Sequence, residues 1–214
     1  MSAPITLVHV VRHGEVHNPQ KILYGRLPNY HLSTLGVKMA ERVAESFAGH
    51  DITAVVSSPL ERAQETSAPI ADAFDLEISL DPRLIEAANH FEGKTFGVGD
   101  GSLARPAHWP YLINPFRPSW GEPYKQLAAR MLAAVEAARK LAEGHEAVCV
   151  SHQLPIWIMR SQVEGRRLWH DPRKRQCNLA SVTTIRFEGD RIRSLTYREP
   201  AADLVPRKAG PPGA

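Results

Sequence analysis

Two apolar runs in this chain each deliver a histidine at their end. Ile5–Val11 (ITLVHVV) runs into Arg12 and His13, and 147–150 (AVCV) runs into Ser151 and His152. A third run, 53–57, is followed within a few residues by Arg62, and Leu84-Ile85-Glu86 comes just after a short fourth run. If these runs are neighbouring strands, two arginines, two histidines and one carboxyl group meet at one end of a sheet. That set suits phosphoryl chemistry. An arginine presents a fixed fork of donors that matches phosphate oxygens, so Arg12 and Arg62 can grip two edges of one group. A histidine can attack phosphorus and carry the group covalently, dividing one hard displacement into two easier ones. A carboxylic acid such as Glu86 can protonate the leaving oxygen. Neighbouring cations disfavour the protonated imidazole and keep His13 nucleophilic, and a hydrogen bond from its other ring nitrogen to a carbonyl would fix the tautomer.

Periodicity outlines the elements that must position these residues. The β-branched run at 5–11 and the run at 146–152 predict strands covered on both faces. Leu35, Met39, Val43 and Phe47 recur four apart and predict a helix within 32–48. A strand is predicted at 53–57, a helix opened by Pro59, a short strand in LEISLD (76–81), and an Ala-rich helix from Tyr124 closed by Gly144. LPIWIMRSQV (154–163) predicts another helix, and two alternating runs around Glu188-Gly189-Asp190 predict a hairpin. Strands alternating with helices imply an α/β fold. The expected form is a three-layer sandwich with a mostly parallel central sheet, helices on both faces, an antiparallel edge hairpin and a cap insertion. In such sheets ligands bind beyond the carboxyl ends of the strands, where both histidines fall. The non-periodic stretch of about 87–120 holds Phe91, Phe96, Trp109, Tyr111, Phe116 and Trp120. It is expected to cap the crevice and to favour a substrate with an apolar or ring-bearing body. Residues 1–199 form the expected catalytic domain, and the Pro/Gly/Ala-rich end, 200–214, is expected to be a disordered tail.

Four motifs carry a resemblance. Val11-Arg-His-Gly-Glu15, Ser57-Ser-Pro-Leu-Glu-Arg-Ala-Gln-Glu-Thr66, Leu84-Ile-Glu86 with Glu92-Gly-Lys-Thr95, and Val150-Ser-His152 together resemble the histidine phosphatase (phosphoglycerate-mutase-like) superfamily, in family order over about residues 5–190. The resemblance implies His13 as the phosphorylated nucleophile, Arg12, Arg62 and His152 as phosphate clamps, and Glu86 as the proton donor. Asn18 is carried over as a further phosphate contact, although it lies one residue nearer to His13 than the family's asparagine. The stretch 25–36 is one residue longer than its family counterpart, and Gln153 stands where most members have glycine. The residues after Glu86 are similar to the phosphatase branch rather than to the mutases' bisphosphate-holding run. The expected activity is therefore metal-independent hydrolysis of a phosphomonoester. Two alternatives stay open: a mutase-type phosphotransferase, and a phospholigand-binding protein without turnover.

Other residues have plainer readings. Arg26, Gln153 and Glu15 are possible substrate contacts, with a salt bridge as the competing role for Arg26 and solvent exposure for Glu15. Arg173-Lys174-Arg175 reads as a solvated helix face, and His9 as a satisfied buried histidine. His13 and His17 lie four apart, but Asn18-Pro19 breaks the helix that would align them on a metal, and no metal or cofactor is expected.

Composition bounds the remaining classes. The 214 residues are 43% hydrophobic and 23% charged, with a net charge of +3. That mild excess, without a long basic stripe, suits a small phosphorylated substrate rather than a nucleic acid. No run reaches the ~20 apolar residues needed to cross a bilayer, so no membrane partner is expected. Two cysteines make no disulfide framework and point to reduced thiols in the cytoplasm. A monomer is expected, or a homodimer through the exposed hairpin edge.

Overall fold

Val8, Val10 and Val11 are completely buried, which is what a β-branched run shows when both faces of its strand are covered. A computed structural model describes residues 3–94 and 121–205. Its strands are β1 (Ile5–Arg12), β2 (Ile52–Ser57), β3 (Ile78–Leu80), β4 (Glu146–Ser151), β5 (Val182–Glu188) and β6 (Arg191–Arg198). Its longer helices are α1 (Thr34–Glu45), α2 (Glu61–Ala73), α3 (Tyr124–Leu141) and α4 (Gln153–Val163).

The strands form one sheet in the order β3-β2-β4-β1-β5-β6. The first four run parallel, and β5 and β6 complete the sheet antiparallel. Because strand side chains alternate between faces, the sheet feeds two cores. Val8, Val10, Val56, Ala147 and Cys149 pack with α3 and α4, whereas Val11, Val55, Val148 and Val150 pack with α1 and α2. The expected three-layer sandwich with its antiparallel edge hairpin is the fold observed. β6 is mostly exposed at the sheet edge and opens with Arg191 and Arg193, charges that discourage further strand pairing. No helix among the described residues is long and apolar enough to cross a membrane.

Several boundaries differ from the sequence reading. α1 is shorter than 32–48 because Ser33 caps it: the Ser33 hydroxyl accepts from the Gly36 amide at 3.0 Å. Such caps are worth about 1 kcal/mol. The expected tail starts later than residue 200. Residues 202–204 form a 3-10 turn, Ala201 is buried, and Asp203 pairs with Arg42 at 2.9 Å, so this stretch closes over the α1 side of the sheet. The expectation for 206–214 lies outside the described residues. So does most of the cap, including Phe96, Trp109, Tyr111, Phe116 and Trp120. Its two ends are described, and they meet. Asn89 bridges Gly121, and the Glu122 amide donates to the Ala88 carbonyl at 3.2 Å, so the insertion leaves and rejoins the domain at one neck. Phe91, at that neck, is buried.

Candidate active site

Register brings the two histidines together. Arg12 is the pairing partner of Ser151, and Ser57 pairs with Val150, so β1, β2 and β4 end on one line. The chain then continues the pattern by one residue: the His13 amide donates to the Ser151 carbonyl at 3.1 Å, and the Ser58 amide to Val150 at 2.9 Å. The rings of His13 and His152 end 5.1 Å apart, and both side chains are buried. Directly after His13 the backbone skirts α1 so closely that a Cβ on Gly14 would lie 2.6 Å from the Gly36 carbonyl oxygen. Glycine is needed there by contact.

Each imidazole is held through one nitrogen. His13 Nδ1 donates to the Gly14 carbonyl at 2.8 Å, which fixes the tautomer and leaves the Nε2 lone pair for attack. His152 Nε2 lies 2.8 Å from the Ser58 hydroxyl. With Ser58 donating, the proton sits on Nδ1, which has no partner among the described residues. Burial pushes both histidines well below their ordinary pKa, and Arg62 and Arg12 push in the same direction, so both rings are neutral near pH 7.

The arginines complete the cradle. Arg12 donates to the Cys177 carbonyl at 2.7 Å, and fully buried Arg62 donates to the Gly25 carbonyl at 2.6 Å while its guanidinium stands 4.7 Å over the Tyr24 ring. Arg12 Nε and both Arg62 Nε and Nη1 are buried without a partner among the described residues. Leaving such a donor unsatisfied costs about 1–3 kcal/mol, more when it is charged. An anion with several oxygens would satisfy all of them together with His152 Nδ1. Apart from the His13 Nε2 lone pair, the groups of this cradle offer protons or positive charge, a donor set that fits an anion rather than a metal cation. Among the described residues one group could ligate a metal: His9, His50 and Glu146, at the opposite end of the sheet. There His9 bonds Thr184 and Glu146 at 2.8 Å each, which makes it the satisfied buried histidine expected.

Glu86 sits half-buried beside the cradle with its carboxylate accepting from the Ala87 amide at 2.7 Å. Burial raises its pKa, and this outweighs the opposing pull of Arg62, Arg175 and Arg12. Its backbone carbonyl is gripped from behind by Arg26 at 2.7 Å and Arg130 at 3.3 Å, and both arginines pair with Glu122.

Three expected site residues have other engagements. Arg26 has the salt bridge rather than an open fork and positions Glu86. The Asn18 amide both donates to and accepts from Ile22, at 2.8 and 3.0 Å, closing its own loop. The Glu15 carboxylate takes the Ser33 hydroxyl at 2.5 Å and ties the nucleophile loop to the start of α1. Gln153 is buried, 3.4 Å from both the Cys177 carbonyl and Arg175. Arg175 corrects the reading of 173–175 as a solvated face: Arg173 and Lys174 are exposed, but Arg175 turns inward. Sequence reasoning also missed Tyr24 as a cradle wall, for which no spacing signal exists, while Ser58 could be read there either as a phosphate donor or as a plain helix start.

The buried neutral histidines carry a stability prediction. His9 is held at about 4, chiefly by burial against the pull of Glu146, and His13 and His152 shift in the same direction. The unfolded chain binds protons near pH 6.5 and the folded chain does not, so stability is lost as pH falls from 6.5 toward 4. Guanidinium titrations at pH 7 and pH 5 should differ by about 2 kcal/mol for a single such histidine, and by more with three. Equal stability at the two pH values would contradict the burial argument.

A family model described as histidine phosphatase superfamily (branch 1) matches residues 8–200. The chain is 59% identical over 197 residues to "Uncharacterized protein Rv0525" of Mycobacterium tuberculosis, covering 92% of this chain and 98% of that one. It is 31% identical over 187 residues to a "Probable phosphoglycerate mutase GpmB" of Yersinia pestis, covering 82% and 83%. Among solved structures, YhfR of Bacillus stearothermophilus superposes with a TM-score of 0.71 at 25% identity, covering 88% of this chain and 94% of that one. With its family model spanning the sheet from β1 through β6, the chain belongs to branch 1 of the histidine phosphatase superfamily.

Proposed function

We propose that this protein hydrolyses a small phosphomonoester through a phosphohistidine on His13, without a metal or cofactor. The observation that carries the reading is the set of four buried donor atoms on Arg12, Arg62 and His152 that have no partner among the described residues, beside a histidine whose Nδ1 is already committed. In the first step His13 Nε2 attacks phosphorus, the bond from phosphorus to the ester oxygen breaks, and Glu86 gives that oxygen its proton. In the second, water attacks the phosphohistidine, the ionised Glu86 takes a proton from it, and the P–N bond breaks to restore the imidazole. The fixed donors meet the charge spread over the transferring group, an effect worth roughly 3–4 kcal/mol for each donor by analogy with oxyanion holes. This reading places the chain in the cytoplasm as a monomer or homodimer, with neither nucleic acid nor membrane as partner.

A mutase-type transfer is the second reading, because the Yersinia relative is named a probable phosphoglycerate mutase. Rapid-quench labelling with a phosphomonoester in excess chelator separates the two. Hydrolysis gives an acid-labile phosphoenzyme that empties into inorganic phosphate. A mutase holds the group until a phosphoglycerate takes it. A phospholigand-binding protein gives affinity without a phosphoenzyme, and that result would sink the proposal.

A further inference from the structure

The Glu86 carboxyl has little of its own to aim it. Among the described residues its hydrogen-bond partner is the amide of its immediate neighbour, Ala87, at 2.7 Å. Residues 85–88 belong to no helix or strand, so no ladder fixes their backbone either. The segment is held instead by its carbonyl groups. The Arg83 carbonyl takes Arg130 Nη1, the Leu84 carbonyl takes the Ser151 hydroxyl at 2.7 Å, and the Glu86 carbonyl takes Arg26 Nε at 2.7 Å and Arg130 Nη2 at 3.3 Å. Where the Glu86 side chain starts is therefore set by two arginines.

Those arginines are in turn held by one carboxylate. Glu122 Oε1 accepts from Arg130 Nε at 2.7 Å, and Glu122 Oε2 accepts from Arg130 Nη2 at 2.9 Å and from Arg26 Nη2 at 3.1 Å. The contact with Arg130 is a two-bond pairing, which fixes direction as well as distance. Exposed ion pairs contribute little, but Glu122 is 14% and Arg130 17% exposed, so water competes weakly with this one. Among the described residues no other carboxylate lies within ion-pair distance of either arginine. Without the charge on Glu122, two guanidinium groups would converge on one carbonyl and repel each other. One or both would turn away, and the Glu86 carbonyl would lose its donors.

The backbone of Glu122 is placed independently of this network. Its amide donates to the Ala88 carbonyl at 3.2 Å, beside the bridge between Asn89 and Gly121, and α3 starts two residues later. Glu122 thus ties the start of α3, the loop that carries Arg26 and the segment that carries Glu86 into one unit.

We propose that Glu122 is a positioning residue for the proton donor: through Arg26 and Arg130 it fixes the backbone from which the Glu86 carboxyl reaches the leaving oxygen. The inference rests on the proposed role of Glu86 as the acid. Its consequence is selective. Loss of Glu122 impairs the step that needs a proton and spares phosphate binding, because Arg12 and Arg62 are anchored on the Cys177 and Gly25 carbonyls.

Glu122→Gln tests this, since it keeps the size of the side chain and one acceptor oxygen but removes the charge. With an alkyl phosphomonoester it should lower kcat/KM by about 10–100-fold, part of what a positioned acid contributes. With p-nitrophenyl phosphate, whose phenolate leaves without a proton, the loss should stay below about twofold. Calorimetry should show unchanged affinity for inorganic phosphate. In a Glu86→Gln background the same substitution should cost nothing further on the alkyl ester, because effects exerted through one group do not add. Arg26→Lys, at a more exposed position, should repeat the pattern to a smaller extent and serves if Glu122→Gln fails to fold. Equal losses on the two substrates, a loss that adds to that of Glu86→Gln, weakened phosphate binding or full activity on the alkyl ester would each overturn the assignment. Failure of the phosphatase reading looks different, because it appears as a missing phosphoenzyme in the unmutated protein.

Discussion

Replacing His13 with alanine should lower phosphate release from an alkyl phosphomonoester by about 10⁴-fold or more, the scale seen when a covalent nucleophile is removed from a working site. The phosphoenzyme should disappear with it. The loss belongs to the bond-making nitrogen alone, because the substitution leaves the arginine forks in place. It also leaves the His13 amide on the Ser151 carbonyl, so the ends of β1 and β4 stay paired. Circular dichroism and a binding titration with inorganic phosphate should therefore change little beside the kinetic collapse. Turnover retained within tenfold would mean that phosphorus meets another nucleophile, and the reading of β1 would fall with it.

Glu86→Gln should cost about 10²–10⁴ in kcat/KM on a substrate with an alkoxide leaving group, the usual range for a positioned acid. The effect should shrink with p-nitrophenyl phosphate, whose phenolate leaves without a proton. The pH dependence has a definite sign. Burial raises the Glu86 pKa above its ordinary value, and the acid form is the active form in the first step. In the unmutated protein kcat/KM should accordingly fall as pH rises through that raised pKa, and Glu86→Gln should remove this alkaline limb. An unchanged limb in the variant would assign it to another group. Equal losses on alkyl and aryl substrates would make Glu86 a binding residue instead of an acid.

How much of this was legible in the sequence follows from what each residue depends on. β1 and β4 could be read because a strand buried on both faces must be continuously apolar, and the polar residues at its end stand out against that run. His13, His152, Arg12 and Arg62 inherit their places from such ends. Arg175 has no comparable marker. It follows a 3-10 turn, Pro172–Lys174, whose geometry exposes two basic residues and turns the third inward, and no periodicity distinguishes that from a solvated face. The local role of Asn18 was hidden for a related reason. Its amide has a local partner in Ile22, and local pairing by asparagine leaves no trace in spacing along the chain. The folded stretch 200–205 was hidden by composition, since a few apolar contacts suffice to hold a segment rich in proline and alanine once a sheet is there to receive it.

The pairing of Arg12 with Ser151 also governs how this site can fail. The spacing of the two histidines is set by a backbone ladder whose smallest error is one residue, about 3.3 Å, and a slip of that size turns every side chain to the opposite face. Between the correct arrangement and that slip the ladder offers nothing intermediate. Partial damage to the domain therefore divides the population into competent and inert molecules instead of producing a uniformly sluggish enzyme. A destabilised variant warmed toward its transition should lose active-site titre while each surviving molecule turns over at the full rate.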